Sequence, residues 1–249
     1  MGDVLLARIL KYLNGALIIN DGYRFSEFFV LHYNHFDKYS LEDVSKMTGI
    51  KPKAILEFLT HLGFDSYDEF LARWNSDVIL RTDQIRARMI GLDINEYIEK
   101  LNVEDKDQFT MQIKTVTEKI KDAKRIIIVG ALYPMSIAVE LQTDLITFGE
   151  AVFQFHSFDE HLRFRKGDYV IFISATGRSM ESFLYERKDM SLDECESLLI
   201  TQNKTYLDKK ITNETLRVLG TFDGITFNYQ IMIVFDLIRI IYYKEYHYI

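Results

Sequence analysis

The sequence predicts an α/β chain in two parts: an all-α helix-turn-helix head, then a doubly wound, mainly parallel α/β domain. Three observations predict this. Up to about residue 122 the apolar positions recur at helical spacing, with no convincing strand. At Ile126-Ile127-Ile128-Val129 a run of β-branched residues begins a series of short apolar segments separated by helical stretches. Only Pro52 and Pro134 interrupt the 249 residues, so long helices are unhindered. The expected boundaries are 1–75 for the head, 76–104 for a helical linker and 105–249 for the α/β domain.

In the head, Leu5, Ile9, Tyr12, Leu13, Ala16 and Leu17 mark a first helix. Ser26 to Phe36 reads as a second. Ser40, with Asp43 three positions on, caps a third that stops near Thr48-Gly49. Pro52 suits the first turn of a fourth, which runs to Leu62 and ends at Gly63. Ser66 to Glu69 forms a capping box for a fifth, through Trp74. Leu41, Val44, Met47, Ile50, Ile55, Phe58, Leu59 and Leu62 are its expected helix-turn-helix core. In the helical, charged stretch from 76 to about 122, Phe109, Ile113, Val116 and Ile120 form one apolar stripe.

Beyond Arg125 the strands are expected at Ile126–Val129, Val152–Phe155, Tyr169–Ile173, Leu198–Thr201 and Leu216–Leu219. A helix is expected from Pro134 to Phe148, and a long one from Thr226 to Tyr246. Alternating β and α segments build a sheet with helices on both faces.

Composition sets limits on function. The chain is 48% hydrophobic and 27% charged, as in folded globular proteins. Cys195 is the only cysteine, which excludes an intrachain disulfide or a cysteine zinc site and suits a reducing compartment. Met1 to Leu13 lacks the pattern of a signal peptide. Ile231 to Tyr243 is apolar but carries Asp236 and Arg239, and reads as a buried helix. A cytoplasmic protein without a membrane span is expected. The net charge is −7, and the head carries no basic excess. His32 and His35 could share a helix face but have no third ligand at a recognisable spacing, so no metal or cofactor is expected. Glu140 is weighed as an acid/base group and read as a surface or interface contact.

The informative loop is Ser174-Ala175-Thr176-Gly177-Arg178-Ser179. It follows a strand and opens a helix. A helix N-terminus beyond the carboxyl end of a parallel strand offers free N–H groups and a positive dipole end to an anion. Ser174, Thr176 and Ser179 add hydroxyls, and Gly177 lets the backbone turn tightly. These groups suit holding a phosphate. By composition alone an ordinary serine-capped turn fits equally well.

Asp168 to Ser179 resembles the signature of the SIS, or sugar isomerase, domain, with Ser174, Thr176, Gly177 and Ser179 at matching positions. Thr201-Gln202-Asn203 resembles the strand end that follows in that domain. The resemblance spans about residues 105–249 and implies that the loop grips the phosphate of a sugar phosphate. It also implies a ligand-facing turn at Gly130 to Ser136, where Leu132 and Pro134 stand in place of the family's glycine and serine. Ser40 to Phe64, with Tyr67 and Phe70, resembles the N-terminal domain of the RpiR family of regulators, which joins such a head to a SIS domain. That implies DNA contacts from Lys46, Lys51, Pro52, Lys53, Leu56 and Glu57. Here Lys51 replaces a capping serine, Leu56 a small polar residue and Glu57 an arginine. The expected protein is a non-enzymatic transcription regulator, a homodimer or homotetramer, that binds operator DNA and a phosphorylated sugar effector. The alternatives are a degenerate SIS protein acting through protein contacts and a sugar-phosphate isomerase.

Overall fold

The computed structural model describes residues 5–188 and 190–247. The chain divides into two compact units, Met1–Ile90 with Ile146–Ala151, and Gly91–Leu145 with Val152–Ile249.

The first unit is built from helices α1 (Leu5–Leu13), α2 (Asp21–Leu31), α3 (Leu41–Thr48), α4 (Pro52–His61) and α5 (Tyr67–Met89), with a 3-10 segment at Tyr33–Lys38. Aromatic residues fill its centre. The Phe25 ring meets Phe36, Phe58 and Phe70 edge-on at 5.6 to 6.0 Å between centroids. Such pairs contribute about 0.5–1.5 kcal/mol each beyond area burial. Trp74 donates its indole N–H to the Tyr33 carbonyl at 2.8 Å.

Three expectations for this unit are corrected. The second helix runs Asp21–Leu31 rather than Ser26 to Phe36, because the Asn20 side chain caps it by accepting from the Tyr23 N–H at 2.9 Å. The fifth helix continues from Trp74 to Met89, since no glycine or proline intervenes before Gly91. Met47 is 57% exposed rather than core. Successive helical residues are about 100° apart, so Met47 rotates away from the face set by Leu41 and Val44, while Thr48 stays on it. Thr48 bonds back to the Val44 carbonyl at 2.6 Å.

The second unit contains α6 (Ile94–Glu99), α7 (Lys106–Asp122), β1 (Arg125–Gly130), α8 (Tyr133–Thr147), β2 (Val152–His156), β3 (Asp168–Ile173), α9 (Arg178–Glu186), β4 (Glu196–Thr201), α10 (Thr205–Lys209), β5 (Glu214–Arg217) and α11 (Gly224–Tyr246). The five strands are all parallel, in the order β2-β1-β3-β4-β5. Every residue of β1 and β3 is buried, so both faces of the sheet centre are covered. The expected α7 stripe of Phe109, Ile113, Val116 and Ile120 is buried. A buried ion pair ties the starts of β1 and β3: Arg125 Nε donates to Asp168 Oδ1 at 2.9 Å and Nη2 to Oδ2 at 2.5 Å.

The fifth strand begins two residues before its expected start and ends at Arg217. Leu219 leaves the sheet, and its N–H bonds to the Asn102 carbonyl at 2.7 Å. The residue before it, Val218, is fully buried just past the strand. Among the described residues α11 is the one helix long and apolar enough to cross a membrane, and 61% of its most apolar window is buried within the chain.

Candidate functional site

The strand order locates the site. β2 and β3 lie on opposite sides of β1, so the connections leaving β1 and β2 run in opposite directions across the sheet. In doubly wound sheets of the order 2-1-3-4-5 ligands bind outside the carboxyl ends of β1 and β3, where this reversal opens a crevice. Here those ends are Gly130 and Ile173, followed by Ser174.

The loop is anchored from β4. The Ser174 N–H bonds to the Ile200 carbonyl at 3.1 Å, and the Gln202 N–H to the Ala175 carbonyl at 3.0 Å. The Thr201 hydroxyl donates to the Ala175 carbonyl at 2.9 Å, and the Asn203 amide to the Thr176 carbonyl at 2.9 Å. The Thr201-Gln202-Asn203 strand end therefore shapes the hydroxyl loop.

Gly177 is the N-cap of α9, in the left-handed region at φ 79°. A Cβ there would overlap Cε2, Cζ and Oη of the Tyr206 ring. The requirement for glycine is thus both conformational and steric. Tyr206 is fixed in turn by Glu181, which also pairs with Lys209 at 2.6 Å. Burial and the bond to Glu181 push the Tyr206 hydroxyl up to about 12, while the Lys209 bond holds the Glu181 carboxyl below its usual range.

Gly177, the N-cap residue of α9, has no side chain to cap it. Its first-turn N–H groups have no intrahelical acceptor, and they carry the positive end of the helix dipole. The Ser179 hydroxyl donates to the Ser174 hydroxyl at 2.8 Å, and Thr176 Oγ1 accepts from the Arg178 N–H at 3.3 Å. Ser174 is buried. The structure brings Ser174, Thr176, Gly177 and Ser179 together as one cradle of hydroxyls around the start of α9.

Gly130 faces this cradle across a crevice lined by Val129, Gly130, Ser157, Phe172, Ile173, Ser174, Ser179 and Met180. Its empty space is about 170 Å³ and leaves no room for a water-sized sphere. Met135 packs against Gly130: its Sδ lies 2.8 Å from where a Gly130 Cβ would be. Ser136 is not brought to the crevice. It is exposed on α8 and lines a different pocket, with Ile137, Glu140, Met232 and Arg239. Glu140 is held there by Arg239 at 3.1 Å.

Ser157 is a crevice residue the sequence did not single out. Its N–H bonds to the Gly130 carbonyl at 3.0 Å. It follows β2 directly, but its relevance depends on β2 lying beside β1. Tyr206 was missed too, because it comes from α10, far along the chain.

A larger groove of about 1470 Å³ lies at the opposite, amino end of β3, β4 and β5. Some of its charges pair: Lys119 lies 2.8 Å from Glu196 and 3.4 Å from Glu214, and Tyr169 donates to Glu214 at 2.9 Å.

In the first unit α3 and α4 are joined by Gly49-Ile50-Lys51, with Gly49 left-handed at φ 74°. Ser40 caps α3 in a full capping box with Asp43. Lys51 is the N-cap of α4 and makes no side-chain cap bond. Lys46, Lys51, Pro52, Lys53, Leu56 and Glu57 are all exposed. Lys53 is paired with Glu57 at 3.6 Å, so the residue in place of the expected arginine offsets part of the local positive charge. Among the described residues no three His, Cys, Asp or Glu side chains gather to hold a metal.

No family model and no curated protein matches this chain. Solved structures resemble its fold. The Vibrio vulnificus NanR protein, complexed with ManNAc-6P, is 14% identical at a TM-score of 0.45, covering 97% of this chain and 92% of that one. The sugar isomerase domain of an RpiR transcription factor from Sphaerobacter thermophilus is 15% identical at 0.43, covering 66% and 90%. A Methanococcus jannaschii protein whose structure infers a 3-hexulose-6-phosphate isomerase function is 16% identical at 0.45, covering 66% and 89%.

Proposed function

We propose that the second unit is a SIS-type domain that binds a phosphorylated sugar at the β1/β3 crevice, and that the first unit binds DNA. The chain would then be a cytoplasmic, ligand-responsive transcription regulator. The observation that carries the ligand reading is the cradle itself: the Ser174, Thr176 and Ser179 hydroxyls around an uncapped helix end at the topological switch point. The phosphate would replace the Ser174–Ser179 bond with bonds to both hydroxyls and to first-turn N–H groups.

Among the described residues the crevice lining holds serine hydroxyls and apolar side chains but no carboxylate or imidazole. Isomerisation requires a base within hydrogen-bond reach of the proton it moves. This favours holding the ligand over converting it. The DNA reading rests on the short turn between α3 and α4, and on the exposed Lys46, Lys51 and Lys53 around it.

Thermal-shift and calorimetric titration with a panel of pentose, hexose and N-acetylhexosamine phosphates tests the ligand reading. One sugar phosphate should raise the melting temperature and the unphosphorylated sugar should not. Ser174→Ala with Ser179→Ala should remove the effect. A flat response to the whole panel would favour a second reading, a degenerate SIS protein acting through protein contacts, for which the closed crevice speaks. Electrophoretic shifts with DNA upstream of its own gene test the head. Salt-independent binding, or none with or without the sugar phosphate, would sink the regulator reading.

A further inference from the structure

We propose that the outer edge of β5 is a docking site for an extended, lysine- or arginine-rich segment of another protein, which adds to the sheet as a sixth strand. The inference needs no sugar phosphate and stands apart from that reading.

β5 ends the sheet on its side and pairs only with β4. In a parallel ladder alternate residues turn their backbone groups toward the neighbouring strand. The Val218 N–H reaches the Thr201 carbonyl of β4 at 3.0 Å, so Leu216 and Glu214 face β4 as well. Thr215, Arg217 and Leu219 turn theirs outward. The outward groups of Leu219 are taken. Its N–H donates to the Asn102 carbonyl at 2.7 Å, and the Asn102 side-chain amide donates to its carbonyl at 3.4 Å. The chain ahead of α7 therefore starts to pair along this edge and leaves it before Arg217. Among the described residues no backbone group bonds to the outward N–H or carbonyl of Arg217 or Thr215.

The space beside those groups suits a strand. The groove of about 1470 Å³ is lined by residues 212–216 and by Gln112, Val116 and Lys119 of α7. A smaller hollow of about 120 Å³ shares Gln112, Leu207 and Thr215 with it and extends to Arg217. An open edge beside a helix is the setting that strand addition uses: backbone bonds supply affinity, and alternate side chains supply specificity. Charge selects the occupant. The two hollows are lined by eight carboxylates against four cationic side chains. Asp122, Asp193 and Glu194 are exposed and pair with no cation among the described residues. A cationic strand satisfies them. A second copy of this chain does not, because its own edge would bring the same carboxylates face to face.

The probe is a phage-displayed library of eight-residue peptides with lysine at alternate positions, selected on the full-length chain beside a matched glutamate library. The lysine library should enrich, and its best peptide should bind with a micromolar dissociation constant in fluorescence anisotropy. Residue-resolved amide exchange should slow at least tenfold at Thr215 and Arg217 when the peptide is bound. Thr215→Pro removes one outward donor at an edge position where proline is tolerated, and should weaken binding at least tenfold. If that variant misfolds, peptides N-methylated at alternate residues give the same test on the wild-type chain: one set should lose binding at least tenfold and the other should keep it. Asp193→Asn with Glu194→Gln should weaken binding severalfold. No enrichment over the glutamate library would overturn the proposal. So would binding that leaves Thr215 and Arg217 exchange unchanged, or spermidine binding as tightly as the peptide, which would show that charge alone fills the groove.

Discussion

Replacing Gly177 with alanine is expected to destabilise the second unit by about 2–4 kcal/mol, through two separable effects. The first is conformational. At φ 79° an L-residue costs roughly 1–2 kcal/mol, partly offset by about 0.4–1 kcal/mol from the stiffer unfolded chain. The second is steric. The new Cβ would overlap the outer atoms of the Tyr206 ring, and overpacking of this kind costs about 1–3 kcal/mol. Tyr206→Leu separates them, because leucine lacks Cε2, Cζ and Oη while filling much of the same space. In that background Gly177→Ala should cost only about 1 kcal/mol. The two substitutions should therefore couple by about 1–3 kcal/mol in a double-mutant cycle measured by urea denaturation. An equal cost in both backgrounds would show that the ring does not enforce glycine there. A cost below 0.5 kcal/mol in the wild type, within the ordinary range of neutral surface changes, would refute the strain argument as well.

Three further outcomes are expected. Lys210 ends α10 in the left-handed region at φ 48° and is exposed, so Lys210→Gly should stabilise by about 0.5–1 kcal/mol and raise the melting temperature by a few degrees; a fall would contradict the geometry. Ser40→Ala removes the capping box of α3, worth about 1 kcal/mol, and should speed amide exchange along that helix roughly fivefold. Burial holds the His32 imidazole below its ordinary 6.5 in the folded state. The unfolded chain then takes the proton first, so this contribution is fully present above about pH 6.5 and is lost as pH falls from there toward the folded pKa. A His32→Phe variant should lose less of its melting temperature than wild type between pH 7.5 and 5.5, and parallel curves would show that His32 carries none of the dependence.

The α/β class and most elements follow from the sequence alone, because they depend on neighbours a few residues apart. Ile126 to Val129 reads as a buried strand from its own side chains. Ser40 and Ser66 announce their helices, since a cap bonds three residues on. The hydroxyl loop was legible for the same reason: Ser174, Thr176, Gly177 and Ser179 span a strand end and a helix start.

What local pattern could not supply was anything set by distant contacts. The second helix was misplaced because its cap at Asn20 lies outside the apolar run. The fifth strand was shifted because burial of Val218 just past the strand end looks, in one dimension, like burial within it. Ser136 was expected at the ligand turn, yet helical rotation carries it to the pocket beside Arg239. Ser157 joins the crevice only through the lateral order β2-β1-β3, and Tyr206 reaches Gly177 only because α10 folds back over the start of α9. Sequence by itself determined the strand, the glycine and the hydroxyls of the cradle. Tertiary structure alone decided what faces them, because sheet order and helix packing arise from surfaces that meet across scores of residues and leave no short-range pattern in the chain.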